Sequence, residues 1–287
     1  MQNSLPIVSV NGIIGAQISP LDRGFAYGDG LFETCRVLNG RIPFWGFHKD
    51  RLVKSCQNLL IQLNPDLVEK YLADILCSLS DSLALDCIVK IIVTRGEGGR
   101  GYRQPNVQTP TIVIGVYPPS NYPPENTTQG VNVRVCNHRL GKNHQLAGLK
   151  HLNRLEQVIA RAEWNDDAIA EGLLFDVNGC LIEAVFSNVF LIKDMDVFTP
   201  DLTEAGVAGV MRRLVVEKLA EKAGFSVHVQ KLTLNDLRES NALFLTNSLY
   251  GIWPVANVQG ESIRLNISHP HIQHLQRLLS ETLSSNI

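Results

Sequence analysis

The sequence lacks any Cys-x-x-Cys pair. None of its six cysteines (Cys35, Cys56, Cys77, Cys87, Cys136, Cys180) has a histidine at metal-finger spacing, so no metal site is expected. It also lacks an apolar run of roughly 18 residues, the minimum for a helical membrane span. It lacks an excess of either charge: 26 basic against 28 acidic side chains leave −2, without the basic face that nucleic acid requires. The opening MQNSLPIVSV has no Lys or Arg ahead of its apolar stretch, so no secretory signal is expected. Without an oxidising compartment the cysteines read as reduced thiols, several inside apolar stretches, and the expected location is cytoplasmic. There is no internal repeat and no low-complexity tract. What remains is 287 residues that are 45% hydrophobic, enough for roughly two globular domains at ~150 residues each.

The first 118 residues are strand-rich. Two short apolar runs flank Asn11-Gly12, and the device recurs at Asn39-Gly40, both signals of a type I′ turn. Phe47, Leu52, Cys56, Leu59, Leu60 and Leu63 recur near helical spacing, with Pro65 after them, and a second helix is expected over Leu67 to Leu79. Strands CIVKIIVTR and TIVIGVY follow, separated by a Gly-rich loop. Strands and helices without regular alternation predict an α+β class with a mostly antiparallel sheet. Prolines 118, 119, 123 and 124 then mark a linker, giving domains 1–118 and 131–287 joined by 119–130. Beyond it the pattern predicts a strand (VNVRVC), a helix from Asn153 to Trp164, and strands GLLFDV and CLIEAV joined at Asn178-Gly179. NVFLI, a helix from about Val207 to Ala223, FSVHVQ, a short helix, NALFLT and GIWPVANV complete it.

Gly96-Glu-Gly98-Gly99-Arg100-Gly101 matches G-x-G-x-x-G and follows a strand. A dinucleotide site needs its third glycine to open a helix. Here prolines 105 and 110 follow and the next element is another strand, so the motif fails its context. The loop is still basic through Arg95, Arg100 and Arg103, and guanidinium groups bind carboxylates bidentately. A solvated loop surface is the plain alternative.

Three further positions combine chemistry with placement. Lys150 lies just ahead of an expected helix whose cap is Asn153, with Glu156 in capping-box position and Leu152, Leu155, Val158, Ile159 and Ala162 as its apolar stripe. A positive helix terminus and leucine neighbours disfavour the ammonium form, and a neutral amine is what Schiff-base chemistry requires. The alternative is a surface lysine. Glu183 sits in an apolar strand, either paired with a buried cation such as a protonated pyridine nitrogen or facing water. Arg51, on an otherwise apolar helix, either holds a phosphate or is solvated.

Taken together, these residues resemble the fold-type IV pyridoxal-phosphate enzymes, the class-IV aminotransferase family. The matching marks run Asp22-Arg23-Gly24-Phe25-Ala26-Tyr27-Gly28-Asp29-Gly30, Phe32-Glu33-Thr34, His48-x-x-Arg51-Leu52, Lys150-x-x-Asn153, Glu183-x-x-x-Ser187-Asn188 and Gly206-x-x-Gly209-Val210-Met211-Arg212. Within the family, Gly99-Arg100-Gly101-Tyr102 and the run Leu146 to Gln157 are similar to the branch that cleaves 4-amino-4-deoxychorismate.

The resemblance implies a small N-terminal α+β domain, a larger C-terminal mixed β/α domain, pyridoxal 5′-phosphate in the cleft between them, and a homodimer. Carried over by position, Lys150 binds the cofactor covalently and moves protons, assisted by Thr34. Arg51 binds the phosphate, together with backbone N–H groups of Val210 and Met211. Relatives often have Thr where Met211 stands, so backbone donation alone is expected there. Glu183 holds the pyridine nitrogen. Ser187, Asn188, Asn247 and Ser248 complete the cofactor set, while Arg100, Arg95 and Tyr102 are the expected substrate contacts. The implied reaction is lysis of 4-amino-4-deoxychorismate to 4-aminobenzoate and pyruvate. An aminotransferase acting on branched-chain or D-amino acids is the alternative.

Overall fold

The computed structural model describes residues 5–79 and 85–285, and its contacts divide the chain into two units. The first comprises residues up to Asn121 together with Leu149–Asn153; the second comprises Tyr122–Gly148 and the chain from Arg154.

The first unit is built on a 5-stranded sheet, every ladder antiparallel, in the order β2-β1-β5-β4-β3. Its elements are β1 (Ile7–Val10), β2 (Ile13–Ile14), α1 (Arg23–Tyr27), β3 (Gly30–Leu38), α2 (Trp45–Asn58), α3 (Pro65–Cys77), β4 (Asp86–Thr94) and β5 (Thr111–Tyr117). The strands alternate as a half-covered sheet should. Leu31, Cys35, Val37, Val89, Ile91, Val93, Ile114 and Val116 are buried, and α2 and α3 bring Leu52, Cys56, Val68, Leu72 and Ile75 to the same core. Asn11 and Asn39 both have positive φ ahead of glycines at positive φ, the backbone of the expected turns.

Two helix ends differ from the sequence reading. α2 stops at Asn58, because Leu60 takes a left-handed φ of 57°. Pro65 does not follow a helix but opens one: it occupies the first turn of α3 behind the Asn64 cap, whose side chain accepts the Asp66 N–H at 3.0 Å.

The five residues Leu149–Asn153 add to the outer edge of β3. Phe32 N–H donates to the Lys150 carbonyl at 2.9 Å and Leu152 N–H to the Gly30 carbonyl at 3.0 Å. Lys150 therefore sits on a sheet edge, not merely ahead of a helix.

The second unit carries a 9-stranded mixed sheet, order β11-β10-β9-β13-β14-β6-β7-β8-β12. In chain order it contains α4 (Glu125–Thr128), β6 (Val131–Leu140), α5 (Leu155–Arg161), β7 (Ile169–Asp176), β8 (Cys180–Ala184), β9 (Asn188–Lys193) and β10 (Asp196–Pro200). Next comes α6 (Val210–Leu214), which runs through a π turn at Val215–Leu219 into Ala220–Lys222. β11 (Val227–Gln230), β12 (Leu232–Thr233), α7 (Leu234–Arg238), β13 (Ala242–Asn247), β14 (Gly251–Gln259) and α8 (Pro270–Ser285) complete it. Its largest buried cluster joins Val133, Leu173, Leu191, Leu243, Leu245, Trp253 and Val255. The fold is α+β, as expected.

α5 corrects the sequence reading twice. Arg154, not Asn153, is its cap residue, and no side chain caps it. The Asn153 amide instead donates to the Gly28 carbonyl, and the Glu156 carboxylate accepts the Gly141 N–H. The helix is also turned the other way: Ala160 is buried, whereas Leu155, Val158 and Ile159 are 74%, 61% and 54% exposed.

Candidate active site

In the first unit the Lys150 amine lies on the open face of the sheet. Lys150 Nζ stands 4.3 Å from the centre of the Phe32 ring. Thr34, two residues along β3, shares that face and is half-buried.

Directly behind, on the covered face, Glu33 is buried. Arg51 meets it edge-on, Nε to Oε1 at 2.7 Å and Nη2 to Oε2 at 2.5 Å, and His48 Nδ1 lies 2.6 Å from Oε2. Burial opposes the Glu33 charge, but the Arg51 guanidinium and the His48 hydrogen bond outweigh it, bringing the carboxyl down to about 2. Burial pushes the neighbouring Cys35 thiol well up, which leaves it an inert core group. Glu33 thus holds one edge of the Arg51 guanidinium.

The motif Asp22 to Asp29 turns out to brace the Gly-rich loop. Asp22 caps α1 through the Gly24 N–H and accepts the hydroxyls of Thr94 and Thr111. The buried Arg23 guanidinium donates to the carbonyls of Gly101, Tyr102 and Arg103. Gly96 has φ of 85°, and a Cβ there would meet the Thr109 carbonyl at 1.9 Å, so the loop turns only with glycine.

Arg95 is corrected from a substrate contact to a brace. It is buried, pairs bidentately with Asp29 at 2.8 Å, and donates to the carbonyls of Leu59 and Leu60 at the end of α2. Every edge of its fork is spent inside the fold. Arg100 and Tyr102 are exposed on the loop.

In the second unit Glu183, on β8, is buried. Its Oε2 accepts the Val207 N–H at 2.8 Å and its Oε1 the Gln157 amide at 3.4 Å. The passage through Gly206 (φ 84°) brings the chain beneath that carboxylate, where a Cβ would meet the Ile182 side chain at 2.7 Å. Asn188 then clamps the turn into α6: its Nδ2 donates to the Val207 carbonyl at 2.8 Å and its Oδ1 accepts the Gly209 N–H at 3.1 Å. Gly209 has no side chain to cap α6, so the first-turn N–H groups of Val210 and Met211 meet no capping side chain.

Across the ladder from Asn188 stands Thr246. Its hydroxyl is buried and, among the described residues, has no hydrogen-bond partner. An orphaned hydroxyl and a helix start cleared by glycine form a cradle for a phosphate group.

Two expected cofactor residues are otherwise engaged. Asn247 uses its side-chain oxygen to accept the N–H groups of Leu249 and Tyr250. The Ser187 hydroxyl donates to Glu171 Oε1 at 2.6 Å and lies 2.5 Å from the Tyr250 hydroxyl. Glu171 itself is completely buried, and burial lifts its carboxyl to about 8. The sequence reading overlooked both Glu171 and Thr246. Ser248 remains half-buried beside Asn247.

Comparison with known proteins decides the lineage. Residues 30–258 match the family model for amino-transferase class IV. The chain belongs to the class-IV aminotransferases. It is 37% identical over 258 residues to the aminodeoxychorismate lyase of Vibrio harveyi, covering 90% of this chain and 93% of that one. The crystal structure of 4-amino-4-deoxychorismate lyase from Pseudomonas aeruginosa superposes with a TM-score of 0.88 at 40% identity, over 96% of this chain and 98% of that one. Escherichia coli branched-chain amino acid aminotransferase shares the fold, with a TM-score of 0.81 at 23% identity, over 96% and 93% of the two chains.

For a class-IV aminotransferase the cofactor is pyridoxal phosphate, and the residues present fit it. Within the first unit Lys150 offers an amine; within the second, taken by itself, Glu183 offers a buried carboxylate, and the α6 start and the Thr246 hydroxyl offer hydrogen-bond donors of the kind a phosphate takes.

Proposed function

We propose that this chain is a pyridoxal-phosphate-dependent carbon–oxygen lyase that converts 4-amino-4-deoxychorismate to 4-aminobenzoate and pyruvate, in folate biosynthesis. The observation that carries the reading is the 0.88 superposition on a lyase at 40% identity, together with the placement of Lys150 on the edge of β3.

Pyridoxal phosphate, when bound, supplies an electron sink. Lys150 carries it, and its released amine takes the proton from the ring carbon bearing the substrate amine. The enolpyruvyl oxygen leaves from the neighbouring carbon with the bonding pair, and a proton delivered to the enolpyruvate completes pyruvate. Thr34, on the same sheet face as Lys150, assists that proton transfer. Glu183 keeps a ring nitrogen protonated. The Val207 N–H and the Gln157 amide hold its carboxylate in place. Val210, Met211, Thr246 and Ser248 hold phosphate oxygens, with Arg51 adding charge from its edge beyond Glu33. Asn188 and Ser187 act one step back, Asn188 on the turn into α6 and Ser187 on Tyr250. Exposed Arg100 and Tyr102 present the loop that receives substrate carboxylate. The reading places the enzyme in the cytoplasm as a homodimer, for which exposed Leu155, Val158 and Ile159 provide an apolar surface.

The test mixes purified holoenzyme with 4-amino-4-deoxychorismate and measures both products in one tube. Equal amounts of pyruvate and 4-aminobenzoate support the lyase. The fold shared with a branched-chain aminotransferase motivates the second reading, and formation of a 2-oxo acid from an amino acid without pyruvate release would establish it instead.

A further inference from the structure

We infer that Arg23 is a positioning residue for substrate, fixing the tip of the Gly-rich loop, Arg100 to Arg103, in the conformation that receives it; the inference rests on the lyase reading and deepens it. Arg23 opens α1, and its side chain is buried. Its Nε donates to Asp29 Oδ2 at 2.8 Å, Nη1 to the carbonyls of Gly101 and Arg103 at 3.0 and 3.4 Å, and Nη2 to that of Tyr102 at 3.3 Å. One planar fork thus spans three consecutive carbonyls, with a carboxylate behind it to balance the charge. The chain crosses that side chain closely: a Cβ at Gly98 would meet Arg23 Cδ at 2.7 Å. The Gly-rich run that fails as a dinucleotide loop therefore closes over a guanidinium of its own chain.

Tyr27, at the end of α1, completes the seat. Its ring lies 4.9 Å from Arg23 Cζ and 5.6 Å from the Tyr102 ring, and its hydroxyl accepts the Gly101 N–H at 3.2 Å. The far end of the loop is tied separately, the Gln108 amide donating to the Leu60 carbonyl at 3.0 Å. Among the described residues, the hydrogen bonds that reach the tip come from Arg23 and Tyr27. The side chains of Arg100 and Tyr102 stand outside this seat, exposed. An exposed side chain on an unfixed backbone must be ordered as it binds, and that ordering lowers affinity. Arg23 fixes the backbone during folding, before substrate arrives.

The experiment compares wild-type holoenzyme with Arg23→Lys, Arg23→Met and Tyr27→Phe. Arg95 holds both oxygens of Asp29, so that carboxylate stays paired in every variant. Limited trypsin digestion followed by mass spectrometry reads cleavage after Arg100 and Arg103, with exposed Lys222 of the second unit as the reference. Losing the fork speeds loop cleavage about 10-fold in both Arg23 variants, and losing the hydroxyl speeds it about threefold in Tyr27→Phe, with the reference unchanged. For pyruvate release, KM rises by similar factors while kcat stays within about threefold. In an Arg100→Ala background Arg23→Lys adds less than about threefold to KM, because both changes remove one contact. Unchanged loop cleavage in the Arg23 variants would overturn the assignment. So would faster cleavage with unchanged KM, or full additivity with Arg100→Ala. An Arg23 variant cleaved faster at Lys222 as well has lost its fold, and Tyr27→Phe then decides: unchanged loop cleavage there rejects the seat. If wild type releases no pyruvate, the lyase reading fails by itself. Arg23 is then judged on loop cleavage alone, where an unchanged rate in Arg23→Lys rejects it.

Discussion

Glu33 holds Arg51 through two parallel hydrogen bonds, Nε to Oε1 and Nη2 to Oε2, inside the covered face of the first sheet. A bidentate pair fixes the guanidinium plane as well as its position. Breaking one partner of a buried pair costs roughly 3–5 kcal/mol, so Glu33→Gln lowers the melting temperature and loosens Arg51. The folded carboxyl titrates near 2 against an ordinary 4.5, a depressed value. Its contribution is therefore complete above about 4.5 and disappears as the pH falls toward 2. Melting curves at pH 7 and pH 3 check this: the wild type loses more stability between them than Glu33→Gln does.

Glu171 runs the opposite way. Its folded value near 8 exceeds the ordinary 4.5 because the side chain is fully buried and Glu183 adds like charge. The folded state holds that proton where the unfolded chain has lost it. The contribution to stability is complete below about 4.5 and is lost as pH rises through 8. Glu171→Gln keeps the acceptor for Ser187 without the titration. It removes a decline on the order of a few kcal/mol between pH 5 and pH 9, read by denaturant midpoints at both.

Thr246→Val separates two roles of one hydroxyl. Without cofactor the substitution removes an unsatisfied buried oxygen and leaves stability unchanged or up to about 1 kcal/mol higher. With pyridoxal phosphate it weakens binding by about tenfold, since one phosphate bond is lost. Calorimetric stability of the apo form and cofactor titration together test it. A variant that loses apo stability but binds cofactor normally would contradict the cradle.

Gly209→Ala probes the turn into α6. The backbone there has φ of −65°, which any residue adopts, so the cost is steric alone: the new Cβ falls 2.0 Å from Asn188 Oδ1. Displacing Asn188 costs about 1–3 kcal/mol and reduces cofactor affinity. Gly179→Ala is the control, with open space around its Cβ, and loses only the strain of φ 79°. Equal cofactor affinity in the two variants would count against the clamp.

Much of this site was legible from the chain, and the misses have a common cause. Glu183, Asn188 and the glycines before Val210 sit within one or two residues of elements that local patterns predict. Asn153 was misread because its amide serves a carbonyl 125 residues away, which no local capping rule sees. Arg95 was misread for the same reason: side-chain type marked it as a ligand binder, while tertiary packing uses it to cap the end of α2. Exposed Leu155, Val158 and Ile159 show that an apolar stripe announces a buried face without saying what buries it. Glu171 did leave a signal. It is a lone charge inside an apolar strand, IAEGLLF, and such a charge needs a partner.

The most direct test is Lys150→Ala measured beside wild type for pyruvate release from 4-amino-4-deoxychorismate, with the visible absorption of the bound cofactor recorded in the same samples. Wild type gives one pyruvate per 4-aminobenzoate and a lysine-bound chromophore; the variant loses both. Retention of chromophore and turnover in Lys150→Ala would contradict the account.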